Sequence, residues 1–191
     1  STGTEADLKA NLDPKPGQGL PEKSKASAPK PAAAPEKKAA ANSGSPSIKP
    51  VATTGLVHSG TQSVKADLKG AKELFLIATD GGDGFTADWA DWAEPVLVKA
   101  DGSKIKLTEV APRESKVGFG QLGINKNAGG SAMKIDGKPV PFGFGAHAPS
   151  MIAFDLPADV VAFESKVGVD NGGTDQGGGA TVIFKVFTQN P

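Results

Sequence analysis

From Leu56 to the end of the chain, apolar residues recur with a period of two, in short runs about ten residues apart with Gly, Asp, Asn or Pro between them. No stretch after residue 50 carries a 3.6-residue apolar pattern long enough for a helix of ordinary length. Over 73–79, Leu74, Phe75, Leu76 and Ile77 follow one another unbroken, which predicts a strand buried on both faces. Over 150–157, Ile152, Phe154 and Leu156 share one face. Over 161–169, Val161, Phe163, Val167 and Val169 point inward while Glu164 and Lys166 point out. Over 180–188 both faces are apolar except at Lys185. Asp101-Gly102 and Asp136-Gly137 stand between short strand candidates and predict tight hairpins. The pattern predicts an all-β fold, an antiparallel jelly-roll β-sandwich without internal repeats.

Composition divides the chain. Residues 1–50 hold no aromatic residue and eight of the fifteen prolines, so only the remainder can bury a sizeable core. The expected organisation is a tail over 1–53 and a sandwich over 54–191. Residues 4–12 suit one short helix, with Thr4 and Asp7 in capping-box spacing, marginal by itself in water. Residues 13–50, rich in Pro, Ala, Lys and Ser, predict an extended, semi-rigid spacer. Residues 1–50 carry eight lysines against five acids, and 51–191 thirteen bases against sixteen acids. A mildly acidic globular part without a basic stripe speaks against nucleic acid as partner. The chain has no cysteine, which excludes disulfides, thiolate chemistry and haem attachment through C-x-x-C-H, and no redox cofactor is expected. No apolar run is long enough for a transmembrane helix. The first residue is Ser1 rather than Met, and the expectation is an exported protein (periplasmic, cell-surface or secreted) whose signal peptide has been removed.

Two segments concentrate polar chemistry. Residues 80–92 (DGGDGFTADWADW) follow the strongest strand and gather Asp80, Asp83, Asp88 and Asp91 with Trp89 and Trp92. Clustered carboxylates and glycine-freed carbonyls are surroundings that calcium favours, although the spacing is not that of an EF-hand. The same acids would equally cap loop N–H groups in Asx turns. An indole face can lie on the C–H face of a sugar ring while its N–H donates. The Trp spacing of three rules out a shared strand face, so one belongs to the core and the other lies nearer the surface. Residues 168–180 (GVDNGGTDQGGGA) offer Asp170, Asn171 and Asp175 as hydrogen-bonding groups on a loop at the end of a rigid scaffold. The alternative is a connection whose glycines only supply positive φ. His147, in FGFGAHAPS, reads first as a hydrogen-bonded structural residue and second as a ligand group. G-x-S-x-G, H-E-x-x-H and a P-loop are absent, and the paired carboxylates lack the apolar pocket that acid catalysis needs. No enzymatic activity is expected.

The blocks DWADWAEPVLV, INKNAGGSAMKIDGKPVPFGFGAHAPSMIAFDLP and FESKVGVDNGGTDQGGGATVIFKVF resemble the NPCBM family of carbohydrate-binding modules, in particular a branch attached to planctomycete-type enzymes and cytochromes. The likeness covers about residues 54–188. It implies a galactose-binding-like sandwich, often with a structural calcium, whose end loops in some members bind galactose-containing glycans. The family's G-x-H-A-x-S block falls on Gly145, His147, Ala148 and Ser150, and its G-V-D on Gly168, Val169 and Asp170. Its aspartate–tryptophan element falls on Asp88-Trp89 and Asp91-Trp92. The resemblance implies a non-catalytic glycan-binding module. Trp89 or Trp92 would stack on the sugar, His147, Asp170, Asn171 and Asp175 would bond hydroxyls, and Ca2+ at Asp80, Asp83, Asp88 and Asp91 would shape the loop. The alternative is an accessory subunit of a larger exported protein complex, docked through the tail and the sandwich surface.

Overall fold

The computed structural model describes residues 48–177 and 179–191. The helix expected over 4–12 and the spacer up to residue 47 lie outside them. In chain order the strands are β1 (Ala52–Thr53), β2 (Gln62–Asp67), β3 (Glu73–Asp80), β4 (Trp89–Lys99), β5 (Lys104–Lys106), β6 (Glu114–Val117) and β7 (Gly123–Ile124). They continue with β8 (Lys134–Ile135), β9 (Lys138–Pro139), β10 (Gly143–His147), β11 (Ser150–Asp155), β12 (Val160–Val169) and β13 (Val182–Phe187). A 3-10 turn over Leu107–Glu109 and one helical turn, α1 (Asn171–Thr174), complete the described elements.

Two antiparallel sheets pack face to face, as the period-two pattern predicts. The first runs β1-β13-β3-β11-β6 and the second β2-β12-β4-β10-β7, with β5 beside β4. The pairing of Ala52 and Thr53 with β13 brings residues 52–53 into the first sheet. Inward side chains of both sheets, among them Leu74, Leu76, Phe154 and Phe184 facing Trp92, Leu97, Phe144 and Phe163, form the main core. Trp92 is fully buried, its ring 5.1 Å from Phe184 and 6.1 Å from Phe163, both edge-on. Strand β3 is buried on both faces, as its unbroken apolar run predicts. Its outward Phe75 joins Ala153 and Phe187 in a second cluster, under the Arg113 guanidinium at 5.5 Å. The outer face of the second sheet instead carries exposed ion pairs, Lys65 and Lys104 on Glu164 and Lys166 on Glu94, each worth little.

Two irregularities explain where strict alternation fails. The β12–β4 register shifts between Val160 and Ala162, so Val160, not the expected Val161, takes the inward place. In β4 the inward Trp92 and Leu97 lie five apart in sequence, and the odd step is absorbed at Glu94, whose φ is 51°. The Asp136-Gly137 signal gives the β8–β9 hairpin, with both φ values positive (52° and 72°) as a type I′ turn requires. Asp101-Gly102 turns β4 into β5, its Asp101 carboxylate accepting from Ser103 N at 2.8 Å.

Candidate functional site

The β4 side chains that point away from the core organise one end of the molecule. Trp89 and Asp91 share that outward face, paired across β10 with His147 and Gly145. The segment between β7 and β8 folds back over them, and α1 closes the other side. Trp89 is half-buried. Carbons added as Cβ atoms at Gly172 and, at 2.5 Å, at Gly129 would run into its benzo ring, so both backbones lie directly on the indole. Trp89 is therefore packed against two loops and only partly open to solvent, while Trp92 is core and has no face to offer a sugar. Gly172→Ala and Gly129→Ala should each force that ring aside, at a cost of about 1–3 kcal/mol. Urea unfolding followed by tryptophan fluorescence would check this, and unchanged midpoints would count against the packing.

Asp91 and Asp170 meet beneath these loops, both fully buried. Asp170 caps α1, accepting from Gly172 N at 2.8 Å. It also accepts from Asn127 Nδ2 at 2.8 Å and from Lys134 N at 2.7 Å. Three N–H donors thus converge on the Asp170 carboxyl oxygens. No N–H reaches either carboxyl oxygen of Asp91. Burial first, and the neighbouring Asp170 charge second, push its pKa up to about 10, so Asp91 keeps its proton and donates it to Asp170. This placement takes Asp170 out of reach of a surface ligand: the expected sugar-binding carboxylate instead anchors loops. Asn171 accepts from Gly137 N at 2.8 Å and so ties α1 to the β8–β9 hairpin; Asp175 lies exposed beside it.

The acids expected to hold calcium are divided. Asp88 is buried before β4, its Oδ1 accepting from Thr181 N at 2.9 Å, while Asp83 accepts from Thr181 Oγ1 at 2.6 Å. Burial, with Asp83 and Asp80 nearby, raises the Asp88 pKa against the lowering pull of the Thr181 N–H and His147. Its Oδ2 is left without a hydrogen-bond partner among the described residues. Asp91 faces Asp170 and takes no part in this group. Among the described residues no three His, Cys, Asp or Glu side chains converge as metal ligands. The four-aspartate set does not fit one calcium site because β4 carries Asp91 along to a different set of neighbours.

What this end does present is aromatic. Phe119, 77% exposed, and Phe85, 64% exposed, flank the His147 ring at centroid distances of 6.1 and 6.4 Å, each near edge-on. Phe85 sits on the turn closed by Asp88 N on Phe85 O, and Ala148 N donates to Asp88 O. Phe119 follows Gly118, whose N–H donates to His147 O at 3.0 Å. His147 Nδ1 lies 2.7 Å from Ala148 O; donation there leaves Nε2 as an acceptor. Sequence reasoning picked His147 and missed both phenylalanines. The available signal was a lone aromatic inside a glycine-rich loop, as in GDGFT and VGFGQ, where no strand alternation accounts for it.

The NPCBM/NEW2 domain model matches residues 44–98 and 103–191, and the gap between them falls on the β4–β5 turn. No curated protein and no solved structure matches the chain.

Proposed function

The chain belongs to the NPCBM/NEW2 domain family, and from that premise we propose that it is a non-catalytic glycan-binding module of an exported protein, with its site between Phe85, His147 and Phe119. The observation that carries this reading is the pair of strongly exposed phenylalanines that both pack edge-on against one histidine, on loops at the end of a rigid sandwich. Exposed aromatics on a rigid frame are the surface that the C–H face of a pyranose seeks, and a convergent polar atom fixes its orientation. Phe119 stacks on the sugar, Phe85 bounds it from the opposite side, and His147 Nε2 accepts from a hydroxyl. The His147 ring is tethered through Nδ1 to the Ala148 carbonyl, which fixes the direction in which Nε2 meets that hydroxyl. The planctomycete-type branch belongs to the same reading.

Amide chemical shifts of the full chain, followed during titration with galactose and galactosides, test it. Shifts should concentrate in the loops carrying Phe85, Phe119 and His147. Phe119→Ala should weaken binding about tenfold, equivalent to about 1.4 kcal/mol. The double change with Phe85→Ala should abolish binding. Neither should move the unfolding midpoint appreciably, since both rings are exposed. Equal affinity in the double variant would refute the placement of the site, and absence of any shift across a broad glycan panel would refute the function.

A further inference from the structure

The first sheet ends on β6 and the second on β7, and among the described residues each of these strands has one unpaired edge. Between the two edges runs a surface groove of about 570 Å3, lined by Arg113, Glu114 and Val117 on one wall and by Gln121, Leu122 and Ile124 on the other. Its volume lies in the range of small-ligand sites. Its lining mixes hydrogen-bonding side chains with apolar ones, and Ile124 is 46% exposed. The groove also reaches Gly120, so its two walls converge on the short segment that carries Phe119 to His147.

We propose that this groove is the extension of the glycan site, so that the ligand is an oligosaccharide rather than a single sugar. The inference rests on the reading of the Phe85–His147–Phe119 cluster given above. One terminal ring occupies that cluster, and the following rings pass Phe119 and lie between the open edges. The length suits this. Ile124 pairs with Phe144, three residues along β10 from His147, a distance of about 10 Å at strand rise, enough for more than one linked pyranose. The chemistry suits it as well. Gln121, Glu114 and the unpaired backbone groups of the edges meet hydroxyls, and Ile124 and Leu122 meet C–H faces. A peptide added as a strand is the poorer occupant: β7 has two residues, and the four of β6 include Glu114 and Lys116, too short and too charged to template pairing.

Titration of the full chain with galacto-oligosaccharides of one to four units, in both anomeric linkages, decides it by calorimetry and amide shifts. Affinity should rise tenfold or more from the monosaccharide to the trisaccharide, with new shifts at residues 113–117 and 120–124. The pair Gln121→Ala and Ile124→Ala should remove that gain and leave monosaccharide binding as it was. Affinity independent of chain length, with shifts confined to the His147 loops, would overturn the groove and leave the primary site standing. Groove shifts with an extended peptide but with no sugar would also overturn it. No response to any sugar would overturn both.

Discussion

Asp170→Ala is expected to cost about 3–5 kcal/mol of folding stability, the summed order of three N–H donors that lose their acceptor at about 1–3 kcal/mol each. The reason is the number of obligations the carboxylate meets at once. It caps α1 through Gly172 N, holds the β7–β8 segment through Asn127 Nδ2 and Lys134 N, and accepts the Asp91 proton. Alanine leaves those donors buried without an acceptor, each at a cost of about 1–3 kcal/mol where water cannot enter. The segment and α1 also lose their common anchor, and they are the two walls that hold Trp89. Guanidinium unfolding followed by far-ultraviolet dichroism should show the lower midpoint, and Trp89 emission should shift to the red even in the folded variant. Asp170→Asn should fall between, because the amide keeps one oxygen but turns an NH2 group toward N–H donors. A loss under about 1 kcal/mol for Asp170→Ala would mean that the loops are held by something else.

The sheets were legible in the sequence because their signals are local. The unbroken run at Leu74–Ile77, the alternation at Ile152 and Phe154, and the two Asp-Gly pairs each specify their own few residues, and the fold keeps them. The inward place that moved from Val161 to Val160 depends on a bulge that forms only when β12 meets β4, which no alternation within β12 can announce. The site was less legible for the same reason. An aspartate in a glycine-rich loop reads the same whether it binds metal, caps a turn or shares a proton. Asp91 and Asp170 lie far apart in the chain, and only the pairing of Asp91 with Gly168 across β4 and β12 brings them together. Residues 168–180 read as an adaptable loop. The structure makes their first turn helical because the Asp170 side chain caps it, and this spends the carboxylate that had looked available. Phe85 and Phe119 were invisible to a search for periodic core residues because they belong to no strand. In the sequence only the glycine-rich setting of each ring marks them, and the fold adds their exposure.

Asp91→Asn should leave the fold intact and change how stability depends on pH. In the folded chain the Asp91 carboxyl holds its proton up to about pH 10, whereas unfolding returns it to the ordinary value of 3.8. Between these values the unfolded state binds fewer protons at this position than the folded state. Stability from this group is therefore fully present below about pH 4. It declines as pH rises, by up to about 1.4 kcal/mol for each pH unit, until the folded-state carboxyl itself ionises. Asparagine does not titrate, has nearly the same shape, and its NH2 can donate to Asp170 at any pH. The difference between variant and parent should therefore grow from pH 5 to pH 9 in favour of the variant and shrink toward pH 4. Taking the difference at each pH cancels the other carboxylates, including Asp88, whose raised pKa acts in the same direction in both chains. Denaturant midpoints measured across that range would read the slope directly. Parallel curves for the two chains would show that Asp91 is ionised in the folded state, and the proton shared between Asp91 and Asp170 would then have to be given up.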